Sequence, residues 1–251
     1  MSKFALSSNY IEQQKSIHPA QIKEGKRGAI IVGSDFESNI GFHICNKFTK
    51  DGISVKSFNK SIMDMTSNNL PINEEDDILV LANGHTYLDW IENLNDEQIS
   101  AMINDTFLAS VRSANQFVKK TIGSPYKKYI IFIGSMAYKN VLNGSSVYCA
   151  SKAAISHFAK CIAWELAPKG YNVITINPSN TEGTPMTEET IKGLMRYRNL
   201  SRENAEGYWG ATLPKNEWLQ PEEIAEVCSF FVNGKADYMS GSQIDLAGGQ
   251  R

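Results

Sequence analysis

With 251 residues, 42% of them hydrophobic and 21% charged, the chain can bury one large core; its formal charge of -2 and lack of a Lys/Arg block argue against nucleic acid or an anionic membrane surface as partner. Its cysteines, Cys45, Cys149, Cys161 and Cys228, form no CxxC pair and its four histidines no ligand spacing, so neither a disulfide framework nor a metal site is expected. No run approaches the roughly 20 apolar residues that span a bilayer, and the polar stretch 1–26 lacks the apolar centre of a signal peptide, which points to a cytoplasmic protein that handles a small molecule.

Along the chain, short Ile- and Val-rich runs alternate with amphipathic stretches. The apolar run 28–32 predicts a first strand, 40–50 a helix, and 53–57 and 78–82 two further strands. A long helix follows over 96–120, a strand over 129–133 and a helix over 147–166 that Gly170 helps to stop. A strand over 173–176 leads into residues 179–219, where Met186, Met195, Tyr197, Tyr208, Trp209 and Trp218 stand among polar residues without a strand pattern. This segment reads either as a lid over a substrate or as a helical insertion whose aromatics are core. A helix over 221–232, opened by Pro221 and two acids, and a strand over 243–246 close the chain. The order predicts an α/β fold, a single doubly wound parallel sheet covered by helices on both faces. Residues 1–25 stand outside it as an extension, and 26–251 form one domain with 179–219 as its substrate-loop region.

The strongest chemical signal is Ser145-Ser-Val-Tyr148-Cys-Ala-Ser-Lys152. On a helix, Tyr148 and Lys152 share one face. A free phenol titrates near pH 10, roughly, and a neighbouring ammonium favours its ionised form, so Tyr148 is expected to have a lowered pKa and to exchange a proton with a substrate oxygen. Thirteen residues earlier, at the C-terminal end of the strand 129–133, Ser135 can hold a reacting carbonyl by hydrogen bond. A tyrosine and a lysine at helical spacing are usually a packing residue and a solvated charge; the three residues together carry the argument.

The block from Ile130 to Pro178, with Ser135, Tyr148, Ala150-Ser-Lys152, Trp164-Glu-Leu-Ala-Pro-Lys-Gly170 and Asn177-Pro178, closely resembles the short-chain dehydrogenase/reductases, and Met239-Ser-Gly-Ser-Gln-Ile-Asp-Leu-Ala-Gly-Gly249 looks like that family's last strand. The resemblance implies a Rossmann-type fold in which Tyr148 is the general acid/base, Lys152 tunes it and binds the nicotinamide ribose, and Ser135 polarises the carbonyl. Asn104 matches the family asparagine that holds a water in the proton relay. The resemblance also implies a homo-dimer or homo-tetramer built through the helices over 96–120 and 147–166.

Four departures bear on the cofactor. The glycine loop reads Val32-Gly-Ser-Asp-Phe-Glu-Ser-Asn-Ile-Gly41, longer than the usual one and similar to that of enoyl reductases; Gly33, Asn39, Ile40 and Gly41 can still meet a pyrophosphate. Ala82-Asn83-Gly84 stands where the family commonly has Asn-Ala-Gly, and Pro178-Ser179 replaces Pro-Gly. About 20 residues separate the second strand from Ile78, too few for the usual helix, strand and helix, so the third strand is expected to be shortened or missing. The second strand ends on Phe58-Asn59-Lys60 with no acid for the ribose hydroxyls, which points to NADP rather than NAD, with Asp64 beside the adenine. The expected function is hydride transfer between NADP(H) and a ketone or secondary alcohol; a 3-oxoacyl thioester, a sugar ketone and a polyketide all stay open. A non-catalytic binding protein on the same fold is the alternative, and an enoyl-type reductase a further one, opposed by the short Tyr-to-Lys spacing.

Overall fold

The structure, a computed structural model, describes residues 27–34, 38–58, 70–211 and 213–250. Asn59, Lys60 and Asp64, expected at the adenine end of the cofactor, lie outside the described residues, as does the extension 1–25.

Among the described residues six strands form one parallel sheet: β1 (Gly28–Val32), β2 (Ser54–Phe58), β3 (Asp76–Leu81), β4 (Lys128–Ile133), β5 (Tyr171–Pro178) and β6 (Gln243–Leu246), in the order β2-β1-β3-β4-β5-β6. Among the described residues β2 is the edge of the sheet; residues 59–69, where the third strand was expected to be shortened or missing, lie outside the described residues. β1 and, after their charged first residues, residues 78–81 of β3 and 129–133 of β4 read as apolar runs because side chains on both faces are covered. On one face Ala29, Ile31, Val80 and Ile131 meet Ile44 and Phe48 of α1 (Ile40–Lys50) and Ile224, Cys228 and Phe231 of α7 (Pro221–Val232). On the other, Ile30, Val32, Leu79 and Phe132 meet Ala114 and Phe117 of α3 (Ala109–Thr121) and Ile155, Ala159 and Ile162 of α4 (Ser146–Leu166).

The long helix expected over 96–120 is broken into α2 (Asp96–Ile103), a π turn over Asn104–Leu108, and α3. The cause lies outside the helix: the Asn83 side-chain amide donates to the Asp105 carbonyl at 2.6 Å and to Ser110 Oγ at 3.0 Å, drawing that carbonyl out of the i to i−4 ladder. The segment 179–219 holds two helices, α5 (Pro185–Arg198), capped by Thr184 with Pro185 in its first turn, and α6 (Arg202–Gly210), capped by Ser201. α5 crosses close over the chain after β3, since a Cβ on Gly193 would lie 2.5 Å from Leu88 Cβ.

Chain order reverses between β1 and β3, and their C-terminal ends open the crevice where ligands of such sheets bind. The opposite end is closed by charge: Lys128, on β4, is fully buried and donates to Asp77 Oδ1 at 3.0 Å and to the carbonyls of Glu74 and Asp76. Burial pushes the Asp77 carboxyl up while Lys128 pulls it back down.

Candidate active site

Ser135 follows β4 directly, in extended backbone, and its Oγ accepts from Ala137 N at 3.1 Å, which fixes the short turn Met136–Tyr138. Its side chain also bonds the Tyr148 hydroxyl. Tyr148 stands in the first turn of α4 and is 8% exposed; Lys152, one turn on, is 3% exposed and donates to the Ile133 carbonyl at 2.8 Å. The ammonium lies 5.7 Å from the centre of the Tyr148 ring. The three residues that were read from 13- and 4-residue spacings therefore meet at one point, at the C-terminal end of β4.

The electrostatics differ from expectation. Burial pushes the Tyr148 hydroxyl up to about 12, against the pull of the Ser135 hydrogen bond, and burial pushes the Lys152 amine down to about 8. Desolvation disfavours the charged form of each. The expected lowering of the Tyr148 pKa is not found; at neutral pH the phenol is a proton donor in waiting.

A cavity of about 360 Å³ runs from this point to the glycine turn, lined by Gly33, Asn39, Ile40, Asn83, Gly84, Ser135, Tyr148 and Pro178 among others. Gly33 has φ of +91°, and a Cβ there would lie 2.6 Å from Asn83 N, so only glycine fits between the ends of β1 and β3. A Cβ on Gly41 would lie 2.2 Å from the Gly33 carbonyl oxygen, so α1 starts in direct contact with the turn. Asn39 caps α1 by accepting from Phe42 N at 2.8 Å, which leaves the N–H groups of Ile40 and Gly41 outside the helical ladder at its positive end.

Asn104 begins the π turn but is not among the residues that line the cavity; Asp105 lines it, and Thr106 Oγ1 accepts from His85 N at 3.0 Å beside Gly84. Sequence reading missed the far wall, where His85, Thr86, Leu88, Asn140, Leu142, Met186 and Thr190 face the reactive end. Of these, Met186 had a legible placement: Thr184 before Pro185 is a helix start. Among the described residues no cluster of three or more His, Cys, Asp or Glu side chains is placed to hold a metal ion, and no helix is long and apolar enough to cross a membrane.

Residues 60–194 match the family model described as short chain dehydrogenase. The chain is 25% identical over 257 aligned positions to an uncharacterized oxidoreductase of Bacillus subtilis, covering 88% of this chain and 95% of that one. It is 30% identical over 175 positions to the 3-oxoacyl-[acyl-carrier-protein] reductase of Escherichia coli, covering 70% of this chain and 66% of the relative. Among solved structures, a point variant of actinorhodin polyketide ketoreductase with NADPH superposes with a TM-score of 0.77 at 20% identity, over 91% of this chain and 99% of that chain. NAD+-bound xylitol dehydrogenase superposes with a TM-score of 0.78 at 16% identity, over 90% and 100% respectively.

Proposed function

This chain belongs to the short chain dehydrogenase family, and from that premise we propose that it moves hydride between a nicotinamide dinucleotide and the carbon of a ketone or secondary alcohol. The observation that carries the reading is the convergence of Ser135, Tyr148 and Lys152 at one end of a cavity whose other end is a glycine cradle at a helix N-terminus.

The residues present fit such a cofactor. Gly33 and Gly41 leave no room for side chains, and the N–H groups of Ile40 and Gly41 suit a pyrophosphate. Asn83, Gly84 and Pro178 suit the nicotinamide end, and Lys152 its ribose hydroxyls. When bound, the nicotinamide supplies hydride to the substrate carbon or takes it away.

In the reducing direction Ser135 donates a hydrogen bond to the carbonyl oxygen, and Tyr148 donates its proton to the same atom as negative charge grows there. With its pKa pushed up to about 12 by burial, Tyr148 holds the proton that this step needs. Lys152, beneath the phenol, opposes the charge left on Tyr148 once its proton has gone. Holding both groups on the ends of buried elements makes the proton transfer effectively intramolecular.

We assign NADP over NAD on the lack of an acid after β2 and on Lys60, and a 3-oxoacyl or related ketone as substrate on the likeness to acyl-carrier reductases. Titration with NADPH and NADH, read as protein fluorescence and as melting temperature, tests the cofactor. NADPH is expected to saturate and to bind more tightly; binding of NADH alone overturns the Lys60 argument, and binding of neither moves the reading to a non-catalytic protein on this fold. With the cofactor identified, Tyr148→Phe should lower kcat on the best ketone about 10²–10⁴-fold with the melting temperature little changed. A fully active variant removes Tyr148 from the chemistry.

A further inference from the structure

The Tyr148 hydroxyl is already engaged on its cavity side. It donates to Met186 Sδ at 3.3 Å. The methyl of the same thioether reaches across the site: it and Lys152 Nζ lie 3.4 Å and 3.5 Å from the point where a Cβ on Gly84 would stand. One flexible side chain therefore spans from the proton-donating hydroxyl to the Gly84 floor, covering both the place of a substrate oxygen and the ground beside Lys152.

The backbone beneath Met186 is held. Thr184 caps α5 through Thr187 N, Thr187 Oγ1 donates to the Thr181 carbonyl, and Thr190 Oγ1 donates to the Met186 carbonyl. At the other end of α5, Arg196 donates to the Leu88 carbonyl at 2.9 Å and lies 4.1 Å from the Tyr87 ring, and Tyr197 donates to the Asn143 carbonyl. The thioether, by contrast, has three rotatable bonds and a sulfur that is a weak acceptor. A carbonyl oxygen is a better partner for the phenol, so exchange of sulfur for substrate oxygen runs in the substrate's favour.

We propose that Met186 is a displaceable plug that covers Tyr148 until cofactor and ketone enter, and that in its swung position it forms the wall that limits the size of the group beside the substrate carbonyl. The proposal rests on the oxidoreductase reading above. The plug lowers apparent affinity because only the fraction of molecules with the thioether turned aside is competent to bind.

The test compares wild type with Met186→Ala and Met186→Leu, using the reduced dinucleotide that the wild type binds and a pair of methyl ketones, one small and one carrying a phenyl ring. Met186→Ala should bind the dinucleotide about 5-fold more tightly without substrate, and should shift the ratio of kcat/KM for the bulky over the small ketone upward about 10-fold. Met186→Leu keeps the bulk and loses the sulfur acceptor; it should keep the wild-type preference between ketones while the KM for both falls. Unchanged affinity and unchanged preference in a folded Met186→Ala overturn the plug and leave the oxidoreductase reading standing. Failure of every protein to bind either dinucleotide overturns both.

Discussion

Lys152 brings a cost in stability that its chemistry requires. Its amine is buried and its pKa falls from the ordinary 10.5 to about 8. Between those two values the unfolded chain holds a proton that the folded chain has lost, so stability rises with pH across that window; the cost is full below about pH 8 and gone above about pH 10.5. A shift of that size corresponds to on the order of 3 kcal/mol, offset in part by the bond to the Ile133 carbonyl, worth about 1 kcal/mol. Lys152→Met should therefore be inactive and yet more stable than wild type by about 2 kcal/mol at pH 7, with the difference shrinking as pH approaches 10.5. Denaturant unfolding at a series of pH values measures it; a variant less stable than wild type at pH 7 would show that the ammonium gains more from its surroundings than burial removes. Tyr148, raised from the ordinary 10.0 to about 12, lowers stability only above about pH 10, so the comparison is read below that pH.

At the scale of elements, the site depends on how closely α1 meets the end of β1. The contact between Gly41 and the Gly33 carbonyl leaves no space for a methyl group, so Gly41→Ala must push the start of α1 away from the turn by an ångström or more. Overpacking of this kind costs about 1–3 kcal/mol. It also moves the N–H groups of Ile40 and Gly41 from the place of a pyrophosphate, so affinity for the dinucleotide should fall about 10-fold or more, as isothermal calorimetry would record. Unaltered affinity would place the phosphates elsewhere. This contact could be read from the sequence as a glycine at the start of a helix, and Ser135, Tyr148 and Lys152 could be read because one strand end and one helix turn fix their relation. The π turn over Asn104–Leu108 could not be read, since the bond from the Asn83 amide to the Asp105 main-chain carbonyl that goes with it joins distant parts of the chain. The direction of the Tyr148 pKa was hidden for a similar reason: spacing shows a neighbouring ammonium but not how deeply both groups are buried. The far wall of the cavity comes from the chain after β3 and from α5, which have no period tying them to the site.

For the whole molecule, the sheet is covered on both faces, but the outer side of α2 and α4 is not. Ile91, Ile99, Ile103, Phe107, Val147 and Ala150 line an apolar hollow of about 450 Å³ there, and Ile91 is 59% exposed. Trp164, farther along α4, is 81% exposed. Apolar surface of this kind on a globular domain suits an interface, and a stable one needs about 800 Å² from each partner. We expect a homo-oligomer with a two-fold axis through this face, as the sequence resemblance implied; in such an arrangement each substituted residue meets the partner's copy of the same patch. Ile91→Glu tests this with little penalty to the monomer, because the side chain is already mostly in water. Placed in the interface, two unpaired carboxylates would be desolvated together, so the variant should sediment as a monomer at concentrations where the wild type sediments as a dimer or tetramer. Because α4 also carries Tyr148 and Lys152, dissociation should lower the melting temperature and reduce turnover together, and both should recover at high protein concentration. A wild type that sediments as a monomer would instead leave the hollow as ordinary exposed surface.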